Sequence, residues 1–167
     1  MTDARRSRSR GLLLAALQVG LLGAVAGWMR IEEATQPRGW ARTAPSDPDL
    51  PIRGRYVAFV LQVPAPALSP STTRVNLRVR DGRVIAAPVG QVGGNPQIVV
   101  LRNGARGAIA ELEHPLAFFI PEHSADPSRR RSGETLWAEV TLPRQGPPRP
   151  LRLGVERQPG RIEPLAP

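Results

Sequence analysis

Between Gly11 and Met29 the chain runs for 19 residues without a charge, and Gln18 is the only strongly polar side chain among them. As a helix this stretch spans about 28 Å, close to the hydrocarbon thickness of a bilayer. Beyond residue 54 the period changes from helical to alternating. In "RYVAFVLQV" both pleat faces are apolar, with Val57, Phe59, Leu61 and Val63 on one and Tyr56, Ala58 and Val60 on the other, which predicts a central strand. "TRVNLRVR" sets Val75, Leu77 and Val79 against Arg74, Asn76, Arg78 and Arg80, and "RVIAAPV" returns after Asp81-Gly82. That dipeptide tolerates the two positive φ values of a type I′ turn, so the pair reads as a hairpin.

Further strands follow at "QIVVL", "AIAELE", "PLAFFIP", "TLWAEVTL" and "LRLGVE", separated by Gly- and Pro-rich turns. About seven or eight strands without a soluble helix predict a mostly β fold, a small antiparallel β-sandwich or partly open barrel preceded by one N-terminal transmembrane helix. The expected organisation is an Arg-rich cytoplasmic tail over 1–10, the transmembrane helix over 11–29, an extended lead-in over 30–53 rich in Pro and Asp, and an extracytoplasmic β-domain over 54–167.

Orientation follows from charge. Arg5, Arg6, Arg8 and Arg10 precede the apolar run, whereas Arg30 is followed at once by Glu32 and Glu33, so the positive-inside bias keeps the N-terminus cytoplasmic. The alternative is a cleaved signal peptide, with Ala24-Val25-Ala26 as an A-x-A site and cleavage after Ala26. Apolar character that continues through Trp28 and Met29 favours retention, since a tryptophan there suits the membrane interface. Both routes carry the β-domain across the membrane. Gly20, Ala24 and Gly27 fall near one helix face and would allow close contact with another span.

Composition then removes whole classes of chemistry. The chain has no cysteine, hence no disulfide framework, thiolate nucleophile or cysteine-rich zinc site. It has no lysine either, all 23 basic residues being arginine, so a P-loop lysine and a Schiff base are absent. The net charge of +9 invites a nucleic-acid reading. The arginines are nevertheless spread along alternating strands without a stacking aromatic set or a recognition motif, so no nucleic-acid partner is expected.

Candidate catalytic groups are sparse. His114 and His123, each preceded by a glutamate (Glu113, Glu122), flank the "FFIP" strand and are the residues on which a hydrolase or metal enzyme would have to be built. Their spacing matches no zinc-hydrolase motif, and histidines at loop ends are the simpler reading. Glu111 and Glu113 share a strand face, as a solubilising edge would. There is no G-x-S-x-G, and "GQVGGNP" lacks the spacing of a dinucleotide fingerprint. Neither a catalytic residue nor a cofactor or metal site is expected. A different class of reading is a secreted or tethered binder of envelope glycans or other acidic ligands, using Arg74, Arg78 and Arg80.

The stretch "DPDLPIRGRYVAFVL" resembles the opening of the GDYXXLXY family of membrane-anchored bacterial proteins, with Gly54 and Tyr56 on the motif's glycine and first tyrosine. Arg55, Phe59 and Leu61 stand where the family has aspartate, leucine and tyrosine. Arg53 and Val57 look like the family's flanking residues, and "FFIPE", with Phe119, Pro121 and Glu122, looks like its later aromatic-aliphatic-Pro-Glu segment. The resemblance covers roughly Pro45 to Glu156. It implies an anchored extracytoplasmic module, single-pass in a bacterial inner membrane with its C-terminal domain periplasmic, and these residues as a structural or interaction motif. With no catalytic signature in view, the leading expectation is an accessory module docking on an integral membrane partner, held to the lipid bilayer through residues 11–29.

Overall fold

The computed structural model describes residues 3–46, 56–66, 68–69, 71–90, 94–104, 107–121, 127 and 131–165. These form two units, Met1–Gln36 and Pro37–Pro167.

The first unit is one helix, α1 (Asp3–Thr35). Leu14, Leu17, Leu21, Leu22, Val25, Trp28 and Met29 are all exposed along it. Apolar side chains occur on every side of the helix, so it lacks the polar face of a surface helix. The segment Leu14–Glu32, with mean hydropathy 1.5, is long and apolar enough to cross a membrane.

The second unit is built of strands: β1 (Arg38–Pro45), β2 (Tyr56–Pro64), β3 (Arg74–Arg80), β4 (Arg83–Pro88), β5 (Asn95–Gly104), β6 (Gly107–Leu112), β7 (Leu116–Phe119), β8 (Thr135–Thr141), β9 (Arg149–Gln158) and β10 (Arg161–Pro164). Followed through their ladders, β1, β2, β6, β5, β3 and β4 return to β1 and close a six-stranded barrel. The remaining strands extend it, β8, β9 and β10 in sequence from β1, and β7 from β2. All pairings are antiparallel except β1–β4, which is parallel and meets at Trp40↔Arg83. Closure pairs the two ends of the six-stranded part with β1, and β10 and β7 remain as the outer strands of the sheet.

The predicted strands are present, and the inner faces of β2, β3 and β8 are those read from the alternation, whereas Leu151 of β9, read as inward, is exposed. Val57, Phe59, Leu61 and Val63 of β2 are buried, as are Val75 and Leu77 of β3 and Leu136, Ala138 and Val140 of β8. The outer face of β2 is apolar as read, but Tyr56, Ala58 and Val60 are exposed or half-buried there. Asp81 and Gly82 take φ values of 51° and 70°, the two positive angles required by the turn between β3 and β4.

Two features depart from the sequence reading. The expected extended lead-in over 30–53 contains the end of α1 and the whole of β1, so the β unit begins at Pro37 rather than at residue 54. The reason is small side chains: β1 turns Gly39, Ala41 and Thr43 inward, and an inner face of that kind carries no hydrophobic alternation. Such residues are needed there, because a Cβ on Gly39 would lie 3.1 Å from both methyls of Val79. The second departure is β10, four residues of Arg, Ile, Glu and Pro at the outer end of the sheet.

Outside the barrel, β1, β8 and β9 carry a second layer of packing. Trp40 leans across the sheet onto Gly154, where a Cβ would come within 2.8 Å of Trp40 Cζ3 and of Ile162 Cγ2. Gly154 is thus the gap into which an indole fits. The Arg152 guanidinium lies 5.4 Å from the centre of that indole and pairs with Glu139.

Candidate functional site

Arg42 of β1 pairs with Trp137 of β8 on one side and with Gln62 of β2 on the other. Trp40, two residues earlier, pairs with Glu139 of β8 and Arg83 of β4. Hence β4 and β2 follow one another along the same edge of β1, one parallel and one antiparallel to it. At that junction the outer surface holds a groove of about 440 Å³, within the usual range for small-ligand sites.

Strands from opposite ends of the chain position its walls. Arg42, Arg83 and Gln62 come from the junction itself, Trp137 from β8, Glu156 and Arg157 from β9, and Pro64 and Ile109 from the β2–β6 pair. The Arg83 guanidinium lies 4.8 Å from the centre of the Trp137 ring. Trp137 is only 9% exposed and donates its Nε1–H to Glu156 Oε2 at 2.8 Å, which fixes the plane on which Arg83 rests. The other oxygen of Glu156 accepts the backbone N–H of Gly160 at 2.6 Å.

Charges at the margin are internally paired. Arg157 donates to Glu134 at 3.0 Å and also pairs with Glu163; these hydrogen bonds hold its guanidinium above the usual arginine range. Gln62 donates to Glu111 Oε2 at 2.9 Å, and Arg102 donates to Glu111 Oε1 at 3.0 Å. Burial acts to raise the Glu111 carboxyl, but those two hydrogen bonds and the Arg102 charge outweigh it and hold the group below the usual glutamate range. Glu111 is therefore a tied carboxylate rather than half of a free pair with Glu113.

The motif residues fall elsewhere. Tyr56↔Phe119 and Val57↔Phe118 are register partners in the β2–β7 ladder, so the two sequence segments singled out by resemblance are neighbouring strands. Tyr56 and Phe119 meet edge to face on the outer surface, with ring centres 5.5 Å apart and planes at 69°. Val57 and Phe59 point inward and are buried, while Pro121 is exposed beyond the end of β7. Arg53, Gly54 and Glu122 lie outside the described residues.

β6 and β7 run one after the other along β2, on either side of Glu113-His114-Pro115. His114 is exposed at that break, where proline interrupts the ladder. Its proposed companion, His123, lies outside the described residues. Among the described residues no three His, Cys, Asp or Glu side chains are grouped as metal ligands. Arg74, Arg78 and Arg80 do share the outer face of β3, but Asn76 between them is buried and Arg80 lies 3.8 Å from Asp81.

Sequence reasoning did not find the groove. Its arginines and tryptophan are separated by 41 and 54 residues and are joined only by the ladders of β1 with β4 and β8. The nearest local signal was the repeated outward tryptophan in "WAR" and "WAE", each beginning a run with a small inward alanine. Comparison of the chain with protein-family models, curated proteins and solved structures finds no match.

Proposed function

We propose that this protein is a membrane-anchored accessory module whose barrel docks, outside the cytoplasm, on an integral membrane partner. The observation that carries the reading is the combination of an apolar α1 with an uncharged, outward strip on β2 and β7, made of Tyr56, Ala58, Val60, Ala117 and Phe119. Phe119 is 55% exposed and Tyr56 42%, more than an aromatic pair needs for packing alone. In this reading residues 1–10 stay in the cytoplasm, the barrel lies in the periplasm or its equivalent, and the similarity to the GDYXXLXY family describes an interaction motif displayed on paired strands.

A photoreactive phenylalanine analogue at position 119 of the full-length protein, expressed in its own membranes, tests this. Irradiation is expected to join the chain to an integral membrane protein, and a Tyr56→Asp substitution is expected to lower the yield at least fivefold with an unchanged amount of anchored protein. Labelling of lipid alone, or a yield indifferent to Tyr56→Asp, would count against docking through this strip.

A further inference from the structure

We propose that the groove at the junction of β1, β2 and β4 binds a ligand through an anionic group, a carboxylate or a phosphate, gripped by Arg42 and Arg83. The inference is independent of the docking strip, which lies on β2 and β7.

Among the three arginines that line the groove, Arg42, Arg83 and Arg157, pairing singles out the first two. Arg80, Arg102, Arg152, Arg157 and Arg161 each have a carboxylate within 4.0 Å. Among the described residues neither Arg42 nor Arg83 has one, although both line a concave site where a counter-charge would fit. The one carboxylate in the wall, Glu156, is directed elsewhere, since its two oxygens are taken by Trp137 Nε1 and Gly160 N. Arg157 is committed to Glu134 and Glu163.

Geometry prepares the cation. Arg83 is half-buried and lies on an indole that is itself pinned, so its guanidinium is held before a ligand arrives. A cation–π contact uses no hydrogen-bond donor, so the N–H groups of Arg83 are left for a planar or tetrahedral oxyanion, which arginine engages with two parallel hydrogen bonds. Arg42 leaves β1 two residues beyond the Arg83 partner and faces the same outer side. The opposite wall, from Pro64 to Ile109, is apolar and suits the carbon body that carries the anion. Because Trp137 is buried and Arg83 lies over its ring, the indole orients the cation and is not a stacking platform for a sugar ring.

The test uses the full-length, nitrogen-15-labelled protein in neutral maltoside micelles and follows the Trp137 indole N–H resonance. Four probes are titrated separately: hexyl phosphate, hexanoate, inorganic phosphate and hexanol. A saturable shift with hexyl phosphate or hexanoate, absent with hexanol, is expected, and the stronger of the two anions names the group. A response to inorganic phosphate equal to that of hexyl phosphate would still support the anion site, and would show that the carbon body adds nothing. Arg42→Gln and Arg83→Gln are each expected to weaken binding about tenfold or more, with the Trp40 indole resonance unmoved as the sign that the sheet is intact. If no anion gives a saturable shift, if hexanol shifts the resonance as the anions do, or if Arg42→Gln binds as the unaltered protein does, the proposal is overturned. Arg42→Gln is the decisive variant because Arg42 is exposed and its loss leaves the Arg83–Trp137 stack in place.

Discussion

Replacing Phe59 by alanine is expected to lower the unfolding free energy by about 3–5 kcal/mol. Phe59 is 1% exposed, lies in the middle of β2, and is flanked in the ladders by Pro45 of β1 and Leu116 of β7. Truncation forfeits the transfer of a phenyl ring from water and leaves a hole where three strands meet. Both neighbours are held to β2 by their ladders, so their backbones cannot close inward to fill it. Phe119→Ala on the neighbouring strand removes the same ring from a half-exposed position, and its expected cost is below about 1 kcal/mol. Urea unfolding of the two variants in micelles, monitored by far-ultraviolet circular dichroism, measures the difference. Equal costs would mean that the paired strands β2 and β7 are not oriented as described, because the inner and outer faces of that pair would then be indistinguishable.

The second large effect is expected at Asn95, where the side chain is fully buried. Its Nδ2 donates to Pro143 O at 2.6 Å and to Gly146 O at 2.9 Å, and its Oδ1 accepts from Gln97. One carboxamide thereby fastens the start of β5 to the loop between β8 and β9. Asn95→Asp exchanges the donating group for an oxygen facing two carbonyl oxygens. At neutral pH the variant must bury a carboxylate that keeps only the Gln97 donor and faces two carbonyl oxygens left without one, at an expected cost of about 3 kcal/mol or more. Burial without a cation raises the folded-state pKa of that aspartate above its unfolded value. In this window the folded state binds the extra proton, so stability of the variant should rise as pH falls through the raised pKa. Asn95→Leu loses the same hydrogen bonds without a charge and should show no such recovery. Unfolding midpoints for both variants between pH 5 and pH 8 would separate the two cases.

The parts of the fold legible in the sequence are those where side-chain chemistry alternates strongly. The β3–β4 hairpin could be read because Val75, Leu77 and Val79 oppose arginines and Asp81-Gly82 fixes the reversal. β2 could be read because every inward position is large and apolar. β1 could not, since a strand threaded between β8 on one edge and β4 and β2 on the other has room inside only for glycine, alanine and threonine. Periodicity reports hydrophobic size, and here the packing solution is smallness. Barrel closure was illegible for a related reason, as it rests on that same strand. With β1 treated as a lead-in, the remaining strands form an open sheet, and an open or sandwich-like arrangement is the natural reading.

The candidate sites divide along the same line. The juxtaposition of Tyr56 with Phe119 was not legible from alternation, although both segments were singled out; only the β2–β7 register places them opposite one another. In the sequence Arg42 falls within the expected lead-in, and Arg83 looks like an ordinary solvated strand residue. What distinguishes them is a place in the groove wall without a carboxylate partner among the described residues, where the third arginine of the wall, Arg157, has two, and that is a property of three-dimensional arrangement. Conversely, Glu111 looked like one of two free acids, and its ties to Gln62 and Arg102 come from strands on either side of β6.

The proposed anchoring is tested most directly by intact mass spectrometry of the native protein expressed from its full-length gene, combined with fractionation. The reading predicts a full-length species, allowing for loss of Met1, that stays in salt-washed membranes. A soluble species beginning at Gly27 would contradict it, because residues 1–26 would then be a removed signal and the barrel would act free of the membrane.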